Sequence, residues 1–472
     1  MGWIFGFTQF GGVLYWIAFL EAAHYLSVPA WAVLVFYLSL YFLVFGWAYR
    51  LMAKKLYLRN WLAPCLWVAL EYIRGSRPWG GFSWGELGYS QAPYPLVLTL
   101  TAWTGVYGLT FLMVWFNTQL AQWIIRFFGE GGKGVSMGRR LHWASLAVPF
   151  GVLALVLASG EVELKTGVVH KAGTVSLLQP SIDQDIKWSK QNEIATYKKL
   201  EHLTRSAGTE KPDLVIWPET AAPAYLLWNR VDLNRVIAIV RGSRTSHLVG
   251  CLDAIKNGKS IHCYNAAVQF NPNGKPVGIY HKRHLVPFGE FVPFQQYLTF
   301  LGPVVGDLGS FDRGEKYEKF QVKGFSYTPM ICYEVIFPGD VCKAFQTGAD
   351  VLVNISNDAW YGRTASPYQH AMMAVVRAAE ERKPILRAAN TGICLATDPY
   401  GRILCSTRLF EETQLPADVL VTSSGKATLY SRWGNWFPRL CWLITAFLFL
   451  AFFLKKKGTS PVPDSEVKNH GA

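Results

Sequence analysis

The chain reads as an α/β domain inserted between membrane-spanning α-helices, and three features of the sequence predict this. Long apolar segments crowd residues 1–160 and return after residue 430. Short β-rich runs separated by helical patterns fill the interval, the signature of an α/β domain. Charge is scarce, at 17% of 472 residues against about 25% in ordinary soluble domains. Half of the chain (51%) is hydrophobic, with 19 Trp, 22 Tyr and 29 Phe, which excludes a purely soluble protein. The net charge of +14 comes from short basic clusters flanking apolar segments. Such clusters set membrane topology, so no nucleic-acid partner is expected.

The apolar segments come first. Residues 3–20, 29–49, 96–125, 141–159 and 440–454 reach or approach the roughly 20 residues that a bilayer requires. Trp433, Trp436 and Phe437 precede the last and suit an interfacial belt. Residues 60–73 form a shorter stretch carrying Glu71, readable as a span or as a buried or re-entrant helix. Arg50, Lys54, Lys55 and Arg59 follow the second segment. Arg126, Lys133, Arg139 and Arg140 lie before or at the start of residues 141–159, and Lys455, Lys456 and Lys457 follow the last segment. If residues 60–73 span, all three clusters share the cytoplasmic side, both termini are cytoplasmic and the central domain is not. Residues 1–20 lack a basic n-region and are read as a retained helix, not a cleaved leader. Gly6 stands where a myristoylation signal needs Ser or Thr.

The expected organisation is therefore a bundle of about five spans over 1–160, an extracytoplasmic domain over 161–430, a span over 431–455 and a disordered cytoplasmic tail over 456–472. Within the domain, residues 174–178, 213–217, 247–252, 266–270, 277–280, 327–331 and 351–355 read as strands. Residues 197–206, 233–241 and 371–381 read as helices. The last places Met372, Val375, Val376 and Ala379 on one face and Arg377, Glu380 and Glu381 largely on the other. There is no GxGxxG or GxxxxGK[ST] loop, and His281 and His284 lack a convincing partner pair, so neither cofactor nor metal is expected.

Three patterns carry chemistry: Asp213-Leu-Val-Ile-Trp-Pro-Glu219, Tyr280-His-Lys282-Arg-His-Leu-Val-Pro-Phe-Gly-Glu290 and Met330-Ile-Cys332-Tyr-Glu334. Each places a reactive side chain just beyond a strand, where α/β sheets build their sites. A thiol becomes nucleophilic when a base takes its proton and a cation stabilises the developing charge. Glu219 fits the base, Cys332 the nucleophile, and Lys282 the stabiliser of thiolate and oxyanion. Glu290 would orient Lys282 and act on Glu219 through like charge. Pro338 suits the first turn of a helix behind Cys332, whose neighbouring N–H groups are then available to an oxyanion. Taken singly, Cys332 is a buried small hydrophobe, Glu219 a helix-end acid and Lys282 a loop charge. Their conjunction is the signal.

Those motifs resemble the three signatures of the nitrilase superfamily of carbon–nitrogen hydrolases. The VPFGE variant, together with Asn354–Gly362 (NISNDAWYG), Arg387–Ile393 (RAANTGI), Pro78–Gln91 and Gln179–Trp188, is similar to the apolipoprotein N-acyltransferases. The resemblance implies a nitrilase-like αββα sandwich inserted between transmembrane helices of the bacterial inner membrane, with its catalytic domain periplasmic. It implies acyl transfer from a phospholipid donor, through a Cys332 thioester, to the α-amino group of a diacylated apolipoprotein. It also implies a triad of Glu219, Lys282 and Cys332 supported by Glu290, with Trp188, Tyr333, Glu334 and Trp79 near the substrate. Members of this family usually begin with further membrane helices, so the first segment here should correspond to a later one.

Two other readings use the same residues. A membrane-tethered nitrilase-type amidase would let water resolve the acyl-enzyme, and an inactive scaffold would not use the triad at all. Among the eight cysteines, Cys394 and Cys405 count as directly opposed across the turn Asp398-Pro-Tyr-Gly401, within reach of a disulfide. Cys251 and Cys263 count as one residue out of register. Buried free thiols are the competing expectation.

Overall fold

The computed structural model describes residues 1–20, 26–52, 56–77, 80–129, 138–187, 190–291, 311–423 and 425–457. Trp79, Trp188 and the 458–472 tail therefore lie outside the described residues. The first apolar segment is not one rod. Helix α1 (Gly2–Val13) ends at Leu14 and a 3-10 turn (Tyr15–Phe19) follows. Twelve residues rise about 18 Å, too little to cross a hydrocarbon core. The turn is fixed by the catalytic domain: the Trp16 indole donates to Gln369 Oε1 (3.2 Å), and the Ala365 N–H donates to the Tyr15 hydroxyl (3.1 Å).

Helix α2 (Ser27–Met52) packs on α1, and α3 (Leu56–Ser76) follows. The segment expected as a continuous span at 96–125 is broken. Short helices Pro95–Leu98 and Thr101–Thr104 precede α4 (Val106–Gly129), and the axis turns by 112°. The break sits at Gly105, whose φ of +67° suits a residue without a Cβ. The Val106 N–H is satisfied from outside the helix, by Glu380 Oε1 at 2.7 Å. Helix α5 (Gly138–Thr166) then leads into the catalytic domain. Among the described residues three helical stretches are long and apolar enough to cross a membrane, Ser27–Met52, Ala147–Thr166 and Trp436–Leu454; the bent pair makes a fourth if taken as one span. Glu71 on α3 is buried and accepts from the Trp67 indole, the Leu87 N–H and the Thr110 hydroxyl.

The catalytic domain is a four-layer sandwich. Strands β1 (Val169–Gln179), β2 (Leu214–Ile216), β3 (Ala222–Tyr225), β4 (Ser246–Asn257), β5 (Ser260–Phe270), β6 (Pro276–His281) and β13 (Thr413–Thr422) form one sheet, ordered β13-β1-β2-β4-β5-β6 with β3 on β4. Strands β7 (Phe320–Gln321), β8 (Ser326–Ile331), β9 (Val351–Ser356), β10 (Ile385–Ala389), β11 (Leu395–Thr397) and β12 (Ile403–Ser406) form the other in the order β12-β11-β10-β9-β8-β7. Leu177, Ile216 and Leu248 of the first sheet bury against Tyr327, Ile355 and Leu386 of the second. Outside the first lie α6 (Lys190–Gly208) and α7 (Arg230–Ser243). Outside the second lie α8 (Pro338–Phe345) and α9 (Ser366–Glu381). All seven expected strands and three expected helices are present. Helix α10 (Trp436–Lys457) closes the chain against α3.

The polar face of α9 is covered. The polar residues of α9 do not meet solvent: Arg377, Glu380 and Glu381 are all buried. Arg377 donates to the Tyr89 hydroxyl and pairs with Glu380, while Glu380 also holds Val106. An amphipathic pattern fixes which face is polar but not what covers it, and here the membrane bundle covers it. The hairpin register differs as well. Ala396 pairs with Cys405, and Cys394 bonds Thr407, because the turn is centred on Tyr400, with Asp398 N–H donating to the Arg402 carbonyl, and the ladder slips once more between Ala396 and Thr397. Cys251 pairs with Ala266 and Cys263 with Ala254, and all eight cysteines are free.

Candidate active site

The three motif loops converge at one end of the sandwich. Glu219 follows β2 after Trp217 and Pro218, and its loop runs tightly over β4. A Cβ on Gly250 would lie 2.1 Å from the Pro218 carbonyl oxygen and 2.8 Å from the Glu219 Cα, so only glycine lets Glu219 come this close. Lys282 follows β6, its backbone N–H bonded to the Asn265 carbonyl on β5. Cys332 follows β8 and opens a 3-10 turn (Cys332–Ile336), with Pro338 at the first turn of α8. Each loop carries a non-glycine residue in the left-handed region: Thr220 (φ +46°), Phe288 (+60°) and Cys332 (+53°). Such conformations cost about 1–3 kcal/mol each and persist where surrounding contacts fix them.

The carboxylates and the lysine form one buried cluster. Lys282 Nζ lies 2.9 Å from Glu290 Oε1 and 3.4 Å from Glu219 Oε1. Asn265 Nδ2 bridges the same two oxygens at 2.9 and 2.8 Å. Glu219 Oε2 accepts the Asn357 N–H at 2.7 Å, and Glu290 Oε2 accepts the Val286 N–H at 2.9 Å. Burial opposes the charge on Lys282, but Glu290 and then Glu219 outweigh it, so Lys282 stays protonated above the ordinary lysine range. The thiol behaves oppositely. Burial, then the Glu219 charge, pushes Cys332 up to about 12, with Lys282 only partly opposing them. Cys332 thus rests as a thiol, and chemistry through its sulfur would require removal of that proton.

A second lysine joins the cluster. Lys187 is buried, and its Nζ donates to the Thr220 hydroxyl (2.6 Å) and the Glu219 carbonyl (3.2 Å). Burial lowers it to about 8, with Glu219 and Cys332 favouring its charge. Glu334 is placed as a brace. Its carboxylate accepts N–H groups of Ile331 (2.6 Å), Arg283 (2.7 Å) and His284 (3.1 Å), plus the Tyr280 hydroxyl (2.9 Å), joining the lysine loop to the nucleophile turn. Tyr333 is buried, its ring edge-on to Phe337 at 4.9 Å and to His284 at 5.9 Å. His281 and His284 bond Asp253 and Asp340, and no cluster of His, Cys, Asp or Glu suited to a metal occurs among the described residues.

The structure brings together Glu219, Lys282, Glu290 and Cys332, sets Tyr333 and Glu334 in the nucleophile turn, and describes neither Trp79 nor Trp188. Sequence reasoning missed Asn265, a single polar residue with no local pattern. It quoted the segments holding Lys187, Asn357, Asp358 and Arg387 without giving these residues a role.

Residues 174–427 match the carbon-nitrogen hydrolase family, and residues 1–119 match the apolipoprotein N-acyltransferase N-terminal domain. The chain is 34% identical over 448 residues to the apolipoprotein N-acyltransferase of Geobacter metallireducens, covering 93% of this chain and 84% of that one. It is 31% identical to the Vibrio vulnificus protein of that name (97% and 88% covered) and 35% identical to that of Brucella melitensis (87% and 77%).

Proposed function

This chain belongs to the apolipoprotein N-acyltransferases within the carbon-nitrogen hydrolase superfamily, and from that premise we propose how its own residues move an acyl group. The Cys332 sulfur attacks an ester carbonyl of a membrane phospholipid. Glu219 takes the thiol proton as the S–C bond forms and returns it to the departing alkoxide of the lysophospholipid. Lys282 and the backbone N–H groups of the nucleophile turn face the tetrahedral oxyanion, each well-placed donor contributing about 3–4 kcal/mol. In the second half the α-amino group of a diacylglyceryl-cysteine attacks the thioester. Glu219 takes a proton from the amine and returns it to sulfur, leaving an amide. Glu290 and Asn265 keep Lys282 and Glu219 in place, and Tyr333, Trp188 and Trp79 are proposed to border the substrates.

The observation that carries this reading is the buried Glu219–Lys282–Glu290 cluster beside a thiol whose turn rests on the membrane bundle. Tyr89 donates to the Ile336 carbonyl (3.2 Å), and Trp84 packs 5.5 Å from His370 behind the nucleophile. We further propose that residues 161–430 are periplasmic and both termini cytoplasmic, at the bacterial inner membrane. The segment between α3 and α4 touches the catalytic domain, whereas the basic clusters lie at and beyond the C-terminal ends of α2 and α4 and at the C-terminal end of α10. Purified protein incubated with phospholipid should gain a hydroxylamine-labile acyl mass on Cys332, and adding a diacylated lipopeptide should yield the triacylated product. Full turnover by Cys332→Ser would refute the thioester. Release of free fatty acid with lipopeptide unchanged would point to hydrolysis instead.

A further inference from the structure

We propose that His370, held by Asp358 and Arg387, is a positioning residue that fixes the backbone of the nucleophile. This rests on the reading of Cys332 as nucleophile and concerns a group outside the triad. Cys332 stands in the left-handed region with its carbonyl directed back into the domain. Two donors receive that carbonyl: Asn354 Nδ2 on β9 at 3.3 Å and His370 Nε2 on α9 at 3.2 Å. A carbonyl oxygen only accepts, so Nε2 carries the proton. The other ring nitrogen lies 3.1 Å from Arg387 Nη2 and 3.2 Å from Asp358 Oδ1. Arg387 Nη2 also binds Asp358 Oδ2 at 2.7 Å, and Arg387 Nη1 binds Asn354 Oδ1. One guanidinium thereby orients both donors that clamp the carbonyl.

The fold is shaped around this arrangement. His370, Arg387, Asn354 and Asp358 are fully or almost fully buried. Gly392 admits the Asp358 carboxylate, since a Cβ there would come within 2.1 Å of Oδ2. Helix α9 is anchored one residue earlier. Gln369 Oε1 accepts both the Trp84 (2.6 Å) and Trp16 (3.2 Å) indoles, and its Nε2 donates to the Val13 carbonyl (3.1 Å). The imidazole thus reaches the nucleophile from a helix seated on the membrane bundle. Losing it leaves the carbonyl to Asn354 alone and loosens the turn, and misplacing a reacting atom by about 1 Å can cost about 100-fold.

The test compares His370→Phe, which keeps a ring without a donor, with His370→Gln, which keeps a donor for the carbonyl and an acceptor for Arg387. Full-length enzyme in detergent is assayed for acyl transfer, for melting temperature and for the rate of Cys332 alkylation by iodoacetamide. His370→Phe should lower kcat about 10–100-fold with KM within about twofold, and His370→Gln should recover to within about fivefold of the parent. Alkylation should change in His370→Phe and return to the parent rate in His370→Gln. Unchanged kcat in His370→Phe overturns the inference. So does equal impairment of both variants in step with their melting temperatures, which marks a merely structural residue. If the parent enzyme forms no acyl adduct at Cys332, the acyl-transfer reading fails, and the alkylation rates alone decide the inference.

Discussion

Replacing Glu219 by Gln should slow turnover while making Cys332 more reactive towards a simple alkylating reagent. A general base contributes about 10²–10⁴-fold, so turnover should fall by that factor, or about 3–5 kcal/mol of barrier. The thiol responds differently. It is raised to about 12 by burial and then by the Glu219 carboxylate. Removing that charge lowers it, and the thiolate fraction at fixed pH should rise at least severalfold. The substitution also has a folding cost. Three donors aim at the carboxylate, Asn357 N (2.7 Å), Asn265 Nδ2 (2.8 Å) and Lys282 Nζ (3.4 Å). An amide nitrogen must face at least one of them, at about 1–3 kcal/mol of stability. The assay pairs steady-state acyl transfer with mass-spectrometric alkylation kinetics on the same preparation, with melting temperature as the control. Turnover changed less than threefold would remove Glu219 as the base. Alkylation falling in parallel with turnover would show that the lesion is misfolding.

Three further outcomes follow from the buried charges and the topology. Lys282→Met leaves Glu219 and Glu290 without their cation, at about 3–5 kcal/mol, and adding Glu290→Gln should restore part of the melting temperature but not turnover. No recovery in the double variant would deny the coupling of these two residues. Glu381 is raised to about 7, first by burial, so the folded chain binds a proton that the unfolded chain has already lost between the ordinary glutamate range and pH 7. Its contribution therefore declines as pH rises through that window, and Glu381→Gln should raise the melting temperature at pH 8 but not at pH 4; equal effects at both would refute this. Reporter fusions after Lys256 and after Lys457 should report opposite sides of the membrane, and a shared side would refute the proposed orientation.

What could be read from the sequence was whatever local pattern encodes. The buried strands β2, β8 and β9 announce themselves as short runs, and the candidate residues sit just past strands, so Glu219, Lys282 and Cys332 could be grouped from sequence and are found together in the fold. The failures share one cause, which is that partners remote in sequence decide them. Gly105 breaks the apolar run at 96–125 because Glu380, 274 residues away, satisfies the Val106 N–H. What covers Arg377 and Glu380 is equally remote, since Tyr89 and Val106 of the bundle meet them. Cys394 and Cys405 miss each other because a shifted turn centre and a local slip in the ladder, invisible to counting from a turn, offset their register.

The same logic explains why the support around the triad escaped notice. Asn265 stands in the middle of β5, where the surrounding residues make it one polar position among apolar ones, yet it is the group that ties Glu219 to Glu290. His370 looks like a core histidine on α9 and reaches the nucleophile only through a backbone carbonyl. Neither residue has a spacing rule, because each acts on an atom that every residue possesses or on a carboxylate far along the chain. Reactive groups repeat their local setting, whereas the groups that hold them repeat only a geometry. The candidate residues were therefore legible in three short motifs, while what holds them lies at the contact between the sandwich and the bundle, where Trp84 bonds Gln369 and the adjacent His370 bonds the Cys332 carbonyl.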